Sequence, residues 1–198
     1  MSKYSEFITL VDEDYYNTND IMATRANIAC TFSQGTPAEF FRLIGQQPPE
    51  TISEKGYKTE TPSWIICTLK DDAINYLPQL PKAFAENTRN SLLAGPEGKN
   101  LENLSLHYYL FGIRLALLLK GKNGSQIAHA LMRIFEQRAG WILKLAVDPV
   151  FKPLMLDYTE KRIFFKAQAS EIRTIDWFHR NNKENQKVSR KRSHAEIS

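Results

Sequence analysis

The sequence predicts an α+β protein in which a small, mostly β unit comes first and an α-helical bundle follows. Three observations lead there. Residues 1–60 lack long helical periodicity and are broken by Gly35, Pro37, Gly45, Pro48, Pro49 and Gly56, leaving room only for short extended pieces. From Leu101 to Ala146 apolar side chains recur at steps of three and four, the spacing of a buried helical face. A further helix is expected from about Asp157 to Arg180, after the turn VDPVFKP. The predicted boundaries are 1–75 for the β-rich unit with its linker helix, 76–181 for the helical unit, and 182–198 for a basic tail expected to be disordered.

In the first unit, Phe7 to Val11 and Asn27 to Phe32 read as strands. Between them, Thr18 or Asn19 is placed to cap one helical turn carrying Ile21 and Met22 inward. Thr61 and Pro62 read as the start of a short helix bearing Trp64, Ile65 and Leu69. The phrase INYLPQLP is extended, because each proline biases its predecessor away from the α region.

In the second unit, a helix is predicted from Pro81 to Gly95 with a thin apolar face of Phe84, Thr88, Ser91 and Leu92. The hairpin of 101–146 then has two arms separated by the polar break KGKNGS. Its first arm carries Leu104, Tyr108, Phe111, Leu115 and Leu118 on one stripe, with Leu106, Leu110, Ile113 and Leu117 apolar as well, so that only a strip through Asn103, His107 and Arg114 suits water. Its second arm carries Ile127, Leu131, Ile134, Trp141 and Leu145 and sets Arg138 on the same stripe, where it needs a carboxylate or a set of carbonyls. In the last helix Phe164, Ala167, Ile175 and Phe178 mark one stripe and Phe165, Ala169 and Ile172 another.

With 42% hydrophobic and 24% charged residues, the composition is that of a soluble globular protein. The longest apolar run, Tyr108 to Leu119, contains Arg114 and is too short for a membrane span, and the opening residues have no basic leader with an apolar core. The net charge of +4 has its excess from Arg180 onward, where six basic residues meet two acidic ones. A neutral body is a poor candidate for a phosphate binder, although a neutral total can hide a local patch, and the nucleic-acid alternative is an adaptor acting through the basic tail. Cys30 and Cys67 read as reduced packing residues.

Chemistry-bearing patterns are missing. Gly98-Lys99 and Gly121-Lys122 are each followed by asparagine and lack a preceding strand, so they read as helix-ending turns and not phosphate loops. His107, His129, His179 and His194 have no partner at metal-ligand spacing. The clusters Asp12-Glu13-Asp14 and Asp71-Asp72 lack the glycine turn and terminal glutamate of a calcium loop. No serine stands in a nucleophile elbow, and neither a catalytic residue nor a cofactor is expected. The three apolar helices exceed what one small bundle hides, which points to a permanent protein interface. The residues nominated for it are Trp64, Tyr108, Tyr109, Phe111, Arg138, Trp141 and Trp177.

The ordered phrases NDIM (Asn19 to Met22), ETPSWI (Glu60 to Ile65), LPKAF (Leu80 to Phe84), HYYLFG (His107 to Gly112), IFEQR (Ile134 to Arg138), LDYTEKRIFF and DWFHR resemble the third "partner of Sld five" family of GINS subunits. Departures from the family pattern are Asn19 at an acidic position, Thr61 and Ser63 beside Trp64, and Gly95-Pro96 where Asp-Pro is typical. The β-first order is that of the second and third subunits. The resemblance implies a nuclear, non-catalytic scaffold in a heterotetramer with three other GINS subunits. That assembly joins the minichromosome-maintenance hexamer and the cell-division-cycle forty-five protein in the replicative helicase, meets DNA only indirectly, and has no membrane partner. Lys187, Arg190, Lys191 and Arg192 resemble a weak nuclear-import signal.

Overall fold

A computed structural model describes the backbone of residues 17–69, 74–119, 121–148 and 150–195, with side chains described as far as 181 and at 183. The expected strand Phe7 to Val11, both acidic clusters, and the side chains of the import candidates Lys187, Arg190, Lys191 and Arg192 lie outside the described residues. The described elements run α1 (Thr18–Thr24), β1 (Asn27–Phe32), α2 (Ala38–Leu43), β2 (Tyr57–Pro62), α3 (Ser63–Thr68), β3 (Tyr76–Pro78), a 3₁₀ turn (Lys82–Phe84), α4 (Glu86–Ala94), α5 (Leu101–Leu104), α6 (Tyr108–Leu119), α7 (Gly121–Ala146) and α8 (Tyr158–Ala195). The fold is α+β and mostly helical.

Strand β1 is central in a three-stranded antiparallel sheet of order β2-β1-β3. It alternates as an extended strand must, with Ile28, Cys30 and Phe32 inward. Its register sets Asn27 opposite Pro62 and Phe32 opposite Tyr57 on one side, and Cys30 opposite Pro78 on the other. Strand β3 carries its proline on an edge, where a missing donor is tolerated. The expected boundary after residue 75 therefore needs correcting, since Tyr76–Pro78 belongs to the sheet. The two parts also share one hydrophobic core, running from Ile28, Phe32 and Phe41 through Ile66 and Phe84 to Leu115, Leu131 and Ile134.

Several local expectations change. Asn17 caps α1, its side chain accepting from the Asn19 amide at 3.0 Å, and Ala23 points inward while Ile21 and Met22 are exposed. A seven-residue helix with one inward residue has no apolar period to reveal its buried face. Thr61 lies in β2 with its hydroxyl buried and unpartnered, so α3 starts at Ser63 without a side-chain cap. Cys30 is buried and Cys67 exposed, and both are free thiols.

The hairpin forms with a shorter break than the sequence implies. Gly121 takes a φ of 54°, a left-handed value that suits glycine, and α7 begins there, taking Lys122 to Ser125 into its first turns. Gly124 permits close approach of the arms: a Cβ there would fall on the Ala116 carbonyl oxygen. Gly112 plays the same part against Phe84 and Leu131, where a Cβ would stand 2.8 Å from either side chain.

The last helix does not end near Arg180 but continues to Ala195, replacing the expected disorder after residue 181. No glycine or proline occurs from Tyr158 onward, so nothing in the backbone chemistry stops it.

Candidate partner interface

Two regions of the helical part carry the site: an interior joint that aims α8, and the apolar surface that α8 then displays. The joint begins with Asp157. Its Oδ1 accepts from the Glu160 amide at 2.8 Å, and its Oδ2 from the Tyr109 amide at 3.3 Å. One carboxylate thus satisfies an orphan N–H at the start of both α8 and α6. Glu160 follows one turn on, and its Oε1 accepts from the Tyr109 hydroxyl at 2.9 Å and from Arg138 Nε at 2.6 Å. Its Oε2 accepts from Arg138 Nη2 at 2.9 Å, completing a bidentate pair.

Arg138 is fully buried, and its donors are all used. Besides Glu160, Nη1 donates to the carbonyls of Pro96 and Lys99, and Nη2 to that of Met155 at 3.3 Å. The guanidinium also stands 5.1 Å from the Trp141 ring. On α7 it falls between Ile134, the last buried residue of the main core, and Ile142, which starts a second cluster with Ala146, Leu156 and Phe164. The loop after α4 and the segment before α8 are thereby strapped across the middle of α7. The sequence-level demand for a carboxylate or carbonyls is met by both.

Burial pushes the Asp157 carboxyl up to about 7; the Glu160 charge adds to this, while the two amide donors and Arg138 oppose it. Burial and then Glu160 hold the Tyr109 hydroxyl protonated well above its usual range. His107 is buried against Tyr158, with ring centroids 5.2 Å apart, and burial lowers its pKa. Arg114 pairs with Asp20 of α1, Nη2 to Oδ2 at 2.5 Å. The strip through His107 and Arg114 is therefore a seam and not a wet face.

The nominated interface residues divide. Tyr108 stacks on Phe84 at 4.8 Å, Phe111 meets the same ring edge-on, and Tyr109 meets Phe135. These three and Arg138 are buried within the chain and have no surface left for direct contact. Trp141 is half-buried against the second cluster. Trp64 is 49% exposed and Trp177 is 55% exposed. The reading of sequence periodicity missed Asp157 as a shared cap and Glu160 as the partner of Arg138, although Asp157-x-x-Glu160 is a helix-start signature.

Beyond Ala167, α8 leaves the core. Every residue from Ile172 to Arg180 is exposed, including Ile175, Trp177 and Phe178. Leu143 and Val147 near the end of α7 are also exposed, and line a shallow hollow with Ala167, Ser170 and Glu171. Among the described residues no group of three metal-ligating side chains occurs, and no helix is long and apolar enough to cross a membrane.

No protein-family model matches the chain. It is 27% identical over 138 residues to the DNA replication complex GINS protein psf3 of Schizosaccharomyces pombe, covering 69% of this chain and 75% of that protein. The chain resembles Psf3 proteins. The corresponding protein of Aspergillus fumigatus is 25% identical over 177 residues, 82% of this chain and 95% of its own length. The PSF3 protein of Xenopus laevis is 27% identical over 128 residues, 64% of this chain and 60% of its own. The resemblance seen in the ordered motifs thus extends to fungal and vertebrate Psf3 relatives across most of the chain.

Proposed function

We propose that this chain is a non-catalytic scaffold subunit of a GINS-type heterotetramer in DNA replication, acting in the nucleus. The observation that carries this reading is the exposed continuation of α8, where Ile172, Ile175, Trp177 and Phe178 stand in water. A single helix without packing is marginal in water, and so large an apolar display is a place for another chain. The names of the Psf3 relatives support the assembly in question. Within it the three other GINS subunits are the direct partners, and Trp64, Trp141 and Trp177 the contacts retained from the sequence reading. Engagement of the minichromosome-maintenance hexamer and the cell-division-cycle forty-five protein is the finer part of the proposal.

Co-expression with the three other subunits tests it. The expected product is one equimolar four-chain particle by size exclusion with mass measurement, whereas the chain alone aggregates. A stable, monodisperse monomer that ignores the other three subunits overturns the reading. The nucleic-acid alternative predicts that deleting residues 183–198 abolishes a salt-dependent DNA affinity; the scaffold reading expects assembly to survive that deletion.

A further inference from the structure

The outer face of α8 carries two parallel rows. Lys166, Arg173 and Arg180 are each seven residues apart, and all three are exposed. Lys187 falls at the next position of the same register. Beside them run Phe165, Ala169 and Ile172 at steps of four and three, with Phe165 54% and Ile172 48% exposed. In heptad terms the apolar row occupies the seam positions as far as Ile172, after which the seam passes to the exposed Asp176 and His179, and the cations occupy the flanking positions at 166, 173 and 180 on one side. The Nε of Arg173 donates to the Ala169 carbonyl at 3.1 Å, and that of Arg180 to the Asp176 carbonyl at 3.4 Å. These bonds hold each guanidinium on its own helix, and no ion pair to a described residue takes its outer nitrogens.

We propose that this face docks an acidic amphipathic helix of a partner chain, seating its apolar residues on Phe165, Ala169 and Ile172 and its carboxylates along Lys166, Arg173 and Arg180. Spacing and charge select that occupant. Seven residues of helix advance about 10.5 Å, the interval at which flanking acids recur on a second helix with a heptad seam. Phosphates of one nucleic-acid strand follow every ~3.4 Å along a duplex, so a single file of cations would leave about two in three unmatched. Nor does a phosphate backbone offer anything to Phe165 and Ile172. A second copy of this chain would bring the same cation row, and like charges repel. The proposal deepens the subunit reading and rests on it only for the existence of a partner.

The test uses the full chain fused to a soluble carrier and needs no other subunit, so its failure is separate from a failed co-expression. A labelled four-heptad peptide with leucine at the seam and glutamate at the flanks is titrated against it, alongside the same peptide with lysine flanks, a single-stranded oligonucleotide and a duplex. The expected result is salt-sensitive binding of the glutamate peptide alone. Lys166→Glu/Arg173→Glu/Arg180→Glu weakens it at least roughly tenfold, as loss and reversal of three rim charge pairs should. Phe165→Ser/Ile172→Ser weakens it as well, and Arg133→Glu, on an exposed position of α7, does not. Circular dichroism confirms that each variant keeps its helix content. Equal binding of the two peptides, no binding of either, indifference to Phe165→Ser/Ile172→Ser, or binding only of the oligonucleotides overturns the proposal.

Discussion

Two stretches of the same helix live under opposite conditions. From Tyr158 to Ala167, α8 is capped by Asp157, clamped by the Glu160–Arg138 pair and packed through Phe164 against Ile142, Ala146 and Leu156. From Ile172 to Arg180 the same backbone continues with every side chain exposed. The first stretch is held by this chain alone. The second has helix-forming residues and apolar side chains but no packing, and helical stability in proteins comes mainly from packing. One element therefore serves as a foundation at its start and as an offered surface further on.

The contrast breaks most sharply at the foundation. Arg138→Ala leaves the Glu160 carboxylate buried without its partner, and should cost about 3–5 kcal/mol of unfolding free energy in denaturant titration. Replacing both partners, Arg138→Met with Glu160→Leu, should recover only part of that loss: it avoids the stranded charge but leaves the Tyr109 hydroxyl and the carbonyls of Pro96, Lys99 and Met155 without the bonds the pair made to them. Gly124→Ala should cost about 1–3 kcal/mol, by forcing the hairpin arms apart at Ala116.

A pH series sharpens the same region. The folded carboxyl of Asp157 titrates at about 7, above its unfolded value near 3.9, so the folded state holds that proton more tightly. Its contribution is complete below the unfolded value and falls as pH rises toward 7 and beyond. The stability difference between the wild type and Asp157→Asn should accordingly shrink from pH 5 to pH 8 in urea titrations; a constant or growing difference would contradict the assignment. The smallest effect on the chain itself belongs to the exposed stretch. Trp177→Ser should change stability by no more than about 0.5 kcal/mol, yet reduce recovery of the co-expressed complex. Tyr109→Glu, by contrast, is a folding lesion, because Tyr109 is buried and bonded to Glu160.

The reach of the sequence follows the range of the forces involved. Strand β1, the second hairpin arm and the first arm from Tyr108 onward were legible because period and burial agree within each element, whereas the break at Ser105, which is extended and separates α5 from α6, was not. The need of Arg138 for acceptors was legible from its place on an apolar stripe. Its acceptors were not, since Pro96, Lys99 and Met155 contribute backbone carbonyls from two loops, and a carbonyl has no sequence signature. The same limit applies to Tyr108, Tyr109 and Phe111, which were nominated for a partner and are buried within the chain: a chain interior and an obligate interface use the same aromatic residues. Arg114 and His107 looked wet because polarity was read helix by helix, whereas Asp20 and Tyr158 arrive from distant segments. The length of α8 was obscured by composition, since a basic polar run is compatible with either helix or disorder.

Hydrogen exchange along α8 tests the central claim most directly, comparing the carrier-fused chain with the co-expressed assembly. The account predicts slow exchange for amides 161–168 in both samples, and for 172–180 only in the assembly. Equal protection of 172–180 in the chain alone would show a self-sufficient helix, and free exchange there within the assembly would show that no partner covers it.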